Sequence, residues 1–78
     1  MSEYKPVACD MHSLYELAVM QRTAALVRWR QDDSVREERL LPLDVETRNR
    51  EEFLIAETPG HETVRIRLDR ILDFRPER

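Results

Sequence analysis

The sequence predicts a mainly β domain, in which one N-terminal helix precedes a small, bent antiparallel sheet or open barrel. Three observations carry this. Helix-spaced apolar residues occur once, near the N-terminus; period-two alternation recurs downstream of residue 23; and clusters of turn-forming residues punctuate the alternating stretches. A chain of 78 residues has room for one core only, so a single domain spans residues 1–78, with an ordered core expected over about 4–74.

Each element has its own local reason. Pro6 biases Lys5 away from helix, so the stretch ending Pro6-Val7-Ala8-Cys9 reads as extended. Asp10 and Ser13 are candidate N-caps for the helix, and Ser13 with Glu16 fits a capping box. Leu14, Leu17 and Ala18, with Met20 or Gln21, form the expected buried stripe. Thr23 to Arg30 alternates, with Ala25, Val27 and Trp29 inward and Arg28 and Arg30 outward. Gln31-Asp32-Asp33-Ser34 is a turn. From Val35 to Val45 the odd positions Val35, Leu41, Leu43 and Val45 share one face, while Pro42 marks an edge, a bulge or a break.

Thr47 to Glu51 reads as a polar loop, and Phe53-Leu54-Ile55-Ala56 as a strand covered on both faces. Thr58-Pro59-Gly60-His61 forms a hairpin turn in which Gly60 is expected to take the positive φ. Val64, Ile66 and Leu68 alternate with Arg65, Arg67 and Asp69; Ile71, Leu72 and Phe74 form a last strand before a frayed Arg75-to-Arg78 tail. Sm-like, SH3-like and OB folds all suit this order of elements. The helix ahead of the first strand, with none between later strands, leans toward Sm-like.

Composition narrows the function classes. The formal net charge is -3, and the acidic excess falls after residue 31, so general nucleic-acid affinity through phosphate neutralisation is disfavoured. No apolar run approaches the ~18 residues of a membrane span, and no basic-then-apolar leader opens the chain. Cys9 is the only cysteine, which rules out an intrachain disulfide and a cysteine-rich zinc site and suits a reducing cytoplasm. No catalytic, metal or cofactor site is expected. Cys9 and His12 are within reach of each other but have no third group to orient the base, and His61 reads as a solvated turn residue. The paired acids Asp32-Asp33, Glu37-Glu38 and Glu51-Glu52 carry no pocket signature, and adjacent carboxylates in a strand point to opposite faces.

Two binding readings remain. Aromatic residues Trp29, Phe53 and Phe74 with Arg48 and Arg50 could bind single-stranded RNA by stacking and phosphate contact, although the aromatics occupy core positions. Acidic side chains on the helix and adjoining loops could instead dock in a basic groove of a partner protein.

Tyr4-Lys5-Pro6-Val7-Ala8-Cys9-Asp10 followed by Glu16-Leu17-Ala18 resembles the N-terminal signature of the Rho-binding antiterminator (Rof/YaeO) family. Glu52 to Glu57, Gly60 and the run Arg67-Leu68-Asp69-Arg70-Ile71 are similar to the second half of that family's pattern, so the resemblance spans roughly residues 4–74. It implies an Sm-like (Hfq-like) fold and a non-enzymatic, monomeric, cytoplasmic protein. The implied partner is the N-terminal domain of the transcription terminator Rho, whose primary RNA site would be occluded; no direct binding of nucleic acid is implied.

The partner-binding residues that the resemblance implies are Asp10, Glu16, Arg48, Asn49 and Arg50. It also implies a packing role for Cys9 beneath the helix, whereas Arg67 and Asp69 read better as a structural ion pair. Met11, His12 and Ser13 stand where the family is often richer in acids.

Overall fold

The computed structural model describes residues 9–77, so the extended segment expected over residues 1–8 lies outside the described residues. Helix α1 spans Cys9–Gln21, and strands β1 (Ala25–Gln31), β2 (Ser34–Arg48), β3 (Glu51–Glu57) and β4 (Thr63–Arg67) follow. A 3-10 turn at Leu68–Arg70 leads into β5, Ile71–Pro76. The strands form one antiparallel sheet in the order β4-β3-β2-β1-β5, and β4 and β5 do not pair to close it into a barrel. This is the predicted class, compatible with a small Sm-like fold.

The helix starts earlier than its local signals suggest. Asp10 and Ser13 both lie inside α1, so neither caps it and Ser13 with Glu16 is not a capping box. The first turn is held by packing: Met11 and Leu14 lean on a core that includes Tyr15 and Ala18. That stripe is rotated from the expected one, leaving Leu17 and Met20 exposed. Tyr15 turns the helix inward because its ring meets Phe74 edge-on, with centroids 4.8 Å apart at 86°. At the C-terminal end, Arg22 takes φ 53°, donates to the Val19 carbonyl, and lets Thr23 donate to the Ala18 carbonyl. These two bonds form a Schellman motif, with an arginine where glycine is usual.

The long β2 makes the bend. Ser34 to Leu40 pairs with β1, and Leu41 to Arg48 pairs with β3, with the register shifting between Pro42 and Asp44. Proline's missing N–H fits that bulge, one of the expected possibilities, although the strand itself is central rather than an edge. Pairing with β1 overturns the expected parity. Leu40 and Pro42 are buried whereas Val35 and Leu43 are exposed, because a residue facing Ala25 across β1 shares its inward face. β1 itself alternates as expected, with Ala25, Val27 and Trp29 buried.

β3 is covered on one face only. Leu54 and Ala56 are fully buried, while Phe53 and Ile55 are half-buried on the opposite side. Tyr15, Ala18, Val27, Leu40, Leu54, Ile66, Leu68 and Phe74 belong to one continuous core. The C-terminal tail is not frayed as expected: β5 runs to Pro76, and the Glu77 amide donates to the Ala24 carbonyl at 2.7 Å. Arg39 clamps the Glu77 carboxylate through Nε at 2.8 and 3.0 Å. That hydrogen bond holds the Glu77 carboxyl below its ordinary range.

The β3–β4 turn differs from expectation in one backbone angle. Thr58 and His61 close the turn by a backbone hydrogen bond of 2.9 Å, and the Thr58 hydroxyl accepts from the Glu62 amide. The left-handed residue is His61, with φ 65°, and not Gly60. A β-carbon in that region costs about 1–2 kcal/mol, and glycine's extra chain entropy cancels only part of it. His61→Gly should therefore raise stability by about 0.5–1 kcal/mol, read as a higher urea midpoint at unchanged m-value. A lower midpoint would show that the His61 side chain contributes more than its backbone strain costs.

Candidate partner-binding surface

Asp10 lies at the start of α1, and Glu16 two turns along it with an exposed side chain. Arg48 ends β2, and Asn49 and Arg50 form the two-residue connection to β3. The expected loose loop is thus a tight hairpin, with Thr47 and Arg48 already paired to Glu52 and Glu51. Asn49 and Arg50 both take positive φ, at 53° and 66°, as a type I′ turn requires. All three of Arg48, Asn49 and Arg50 face solvent.

His12 brings the helix to this hairpin. The Glu52 carboxylate accepts from His12 Nε2 at 2.6 Å, and the Glu16 carboxylate stands 3.4 Å from Nδ1. Glu52 is two residues beyond Arg50, so one imidazole ties the acidic helix to the strand that leaves the basic turn. Sequence reasoning paired His12 with Cys9, and no local signal could correct this, because Glu52 lies forty residues away. The Cys9 side chain falls outside the described residues.

Other candidates resolve into structure. Arg67 and Asp69 form a two-pronged pair, with Nε to Oδ1 at 3.0 Å and Nη2 to Oδ2 at 2.6 Å. It braces the corner between β4 and β5, which is the structural role expected for it. His61 is exposed, with Glu57 3.7 Å away. Trp29 and Phe74 are core residues and Phe53 is half-buried, so stacking faces for bases are scarce. No group of three or more His, Cys, Asp or Glu able to hold a metal ion occurs among the described residues. Among those residues no helix is long and apolar enough to cross a membrane.

A second feature was not visible in the sequence. Where the sheet fails to close, a cleft of about 830 Å³ runs between β4 and the tip of the β1–β2 hairpin. Arg30, Arg36, Arg65, Arg67 and Arg70 line it, with Asp32, Glu38 and Glu62 as its carboxylates. The charge here is opposite in sign to that of the whole chain. Arg36 sits 5.8 Å from the Trp29 ring centroid and Arg65 the same distance from Phe53.

Compared with protein-family models and with curated protein sequences, the chain matches none.

Proposed function

We propose that this protein is a cytoplasmic, non-enzymatic inhibitor of Rho-dependent transcription termination. It docks on the N-terminal domain of Rho and keeps RNA out of the primary site. The resemblance of residues 4–74 to the Rho-binding antiterminators supports this reading, and the helix-plus-bent-sheet architecture is compatible with it.

The single observation that carries the reading is the His12 bridge. It draws Glu16 on the helix and Glu52 beside the basic turn onto one imidazole. The residues expected to meet the partner, Asp10, Glu16, Arg48, Asn49 and Arg50, thereby come from two elements that are tied together. A groove that holds RNA phosphates is basic, and an exposed acidic helix is its electrostatic competitor.

Competition measured by fluorescence anisotropy tests the proposal. Labelled C-rich RNA bound to Rho should be released as this protein is titrated at low salt. RNA that stays bound at saturating protein overturns the reading. Replacing Asp10 and Glu16 together with lysine should raise the half-inhibitory concentration at least about tenfold, the equivalent of about 1.4 kcal/mol of lost binding. The far-ultraviolet circular dichroism should remain that of the parent. Unchanged inhibition would remove both acids from the interface.

A further inference from the structure

We propose that the open seam of the sheet is a second binding site, which takes an extended acidic peptide of a partner protein as an added strand alongside β4. This site is separate from the helix surface and does not depend on how that surface is used.

Among the described residues β4 is an edge strand: its one partner is β3, along Phe53 to Glu57. Among those residues no strand pairs with its other edge, whose backbone donors and acceptors stand at the spacing of a peptide. Residues of both faces of β4, Val64 through Arg67, line the cleft, as they would where a strand edge forms one wall. The opposite wall is the end of the β1–β2 hairpin, with Arg30 and Arg36.

Charge selects the occupant. Three of the five arginines are already engaged: Arg36 with Glu38, Arg65 with Glu46, and Arg67 with Asp69 and Glu51. The side chains of Arg30 and Arg70 hold no ion pair or hydrogen bond among the described residues, and the register that pairs Trp29 with Ile71 sets the two residues side by side along the cleft lining. An incoming carboxylate side chain meets two neighbouring uncommitted guanidinium groups there. The same arginines repel a second copy of this basic edge, so the seam resists self-pairing while accepting an acidic strand.

A single-stranded nucleic acid fits less well. Trp29 is 4% exposed, and the Phe53 ring has Arg65 against it, so neither ring offers an open face for a base. A polynucleotide also lacks the regularly spaced amide donors and acceptors that match a strand edge.

The test uses the full chain and a fluorescein-labelled peptide of alternating glutamate and valine. Three relatives serve as controls: the same peptide methylated at alternate backbone nitrogens, a lysine-for-glutamate version, and a labelled ten-nucleotide uridine RNA. Binding is read by anisotropy at low salt, and the contact is located by amide chemical shifts. The glutamate peptide should bind and shift the amides of Thr63 to Arg67, and methylation or lysine substitution should abolish binding. The double variant Arg30→Gln, Arg70→Gln alters two side chains that hold no partner among the described residues, so the fold should survive, and it should weaken the peptide at least about tenfold. Arg28→Gln, outside the cleft lining, should leave it unchanged.

Equal binding of the methylated peptide would overturn strand addition. Equal binding by the Arg30/Arg70 variant would overturn the assignment to this cleft. RNA binding in place of the peptide would overturn the choice of ligand.

Discussion

Tyr15→Ala should destabilise the protein by about 3–5 kcal/mol, the usual cost of removing a buried aromatic side chain. Tyr15 is 2% exposed and is the largest side chain that α1 contributes to the core. Its ring meets Phe74 of β5 edge-on, so deletion opens a void between the helix and the far side of the sheet. A domain of this length is stable by only about 4–12 kcal/mol at typical values per residue, so the loss takes a large share of the total.

The helix has few other anchors. Thirteen residues of isolated helix are marginal in water, and its remaining inward side chains are Met11, Leu14 and the small Ala18. Helical signal in circular dichroism should therefore fall at lower urea in the variant than in the parent. Tyr15→Phe keeps the ring contact and should lose much less. A loss below about 1 kcal/mol for Tyr15→Ala would mean that the helix is held from elsewhere. Burial also raises the Tyr15 phenol above its ordinary value. Above about pH 10 the unfolded chain releases a proton that the folded chain keeps, so stability should fall there, and less steeply in Tyr15→Phe.

Arg67→Met is expected to cost about 2–3 kcal/mol. The pair it breaks is largely shielded, with side-chain exposures of 13% for Arg67 and 9% for Asp69. Breaking a fully buried pair costs about 3–5 kcal/mol, and the residual solvent access reduces that figure. The guanidinium also reaches Glu51 at 3.7 Å, so two carboxylate-bearing elements, β3 and the 3-10 turn, lose one cation. Urea denaturation of Arg67→Met, Asp69→Leu and the double variant completes the cycle. The double variant should lose less than the two single losses added together, because neither member of the pair is then left facing an apolar side chain in place of its partner. Strict additivity would show that the pair contributes nothing as a pair.

Much of this architecture was legible in the chain. β1 could be read directly because Ala25, Val27 and Trp29 alternate with exposed neighbours and one face alone is buried. Pro42 announced an irregularity because a missing N–H is a local fact. The Arg67–Asp69 pair was legible because opposite charges two residues apart, just before the last strand, are within local reach, although Asp69 sits in a 3-10 turn and not on a strand. The misread features share a different cause. Glycine scarcity made Gly60 look like the natural left-handed residue, yet Arg22, Asp32, Asn49, Arg50 and His61 adopt positive φ instead. Turn closure and helix termination overrode the local preference at each. The odd-position stripe of β2 failed because its inward face is chosen by the partner strands and then reset at the bulge.

The candidate sites divide in the same way. Asp10, Glu16, Arg48, Asn49 and Arg50 were nameable from residue types and resemblance. That His12 ties their elements together was not, since the contact spans forty residues and leaves no periodic trace. The arginine-lined seam was hidden altogether, because net charge counts residues without placing them. Periodicity and turn chemistry are local, so residue order alone was enough to establish one helix, five strands and their punctuation. Which strand edge stays open, and which charges gather beside it, depends on how far the sheet bends, and that is settled by packing among residues distant in the chain.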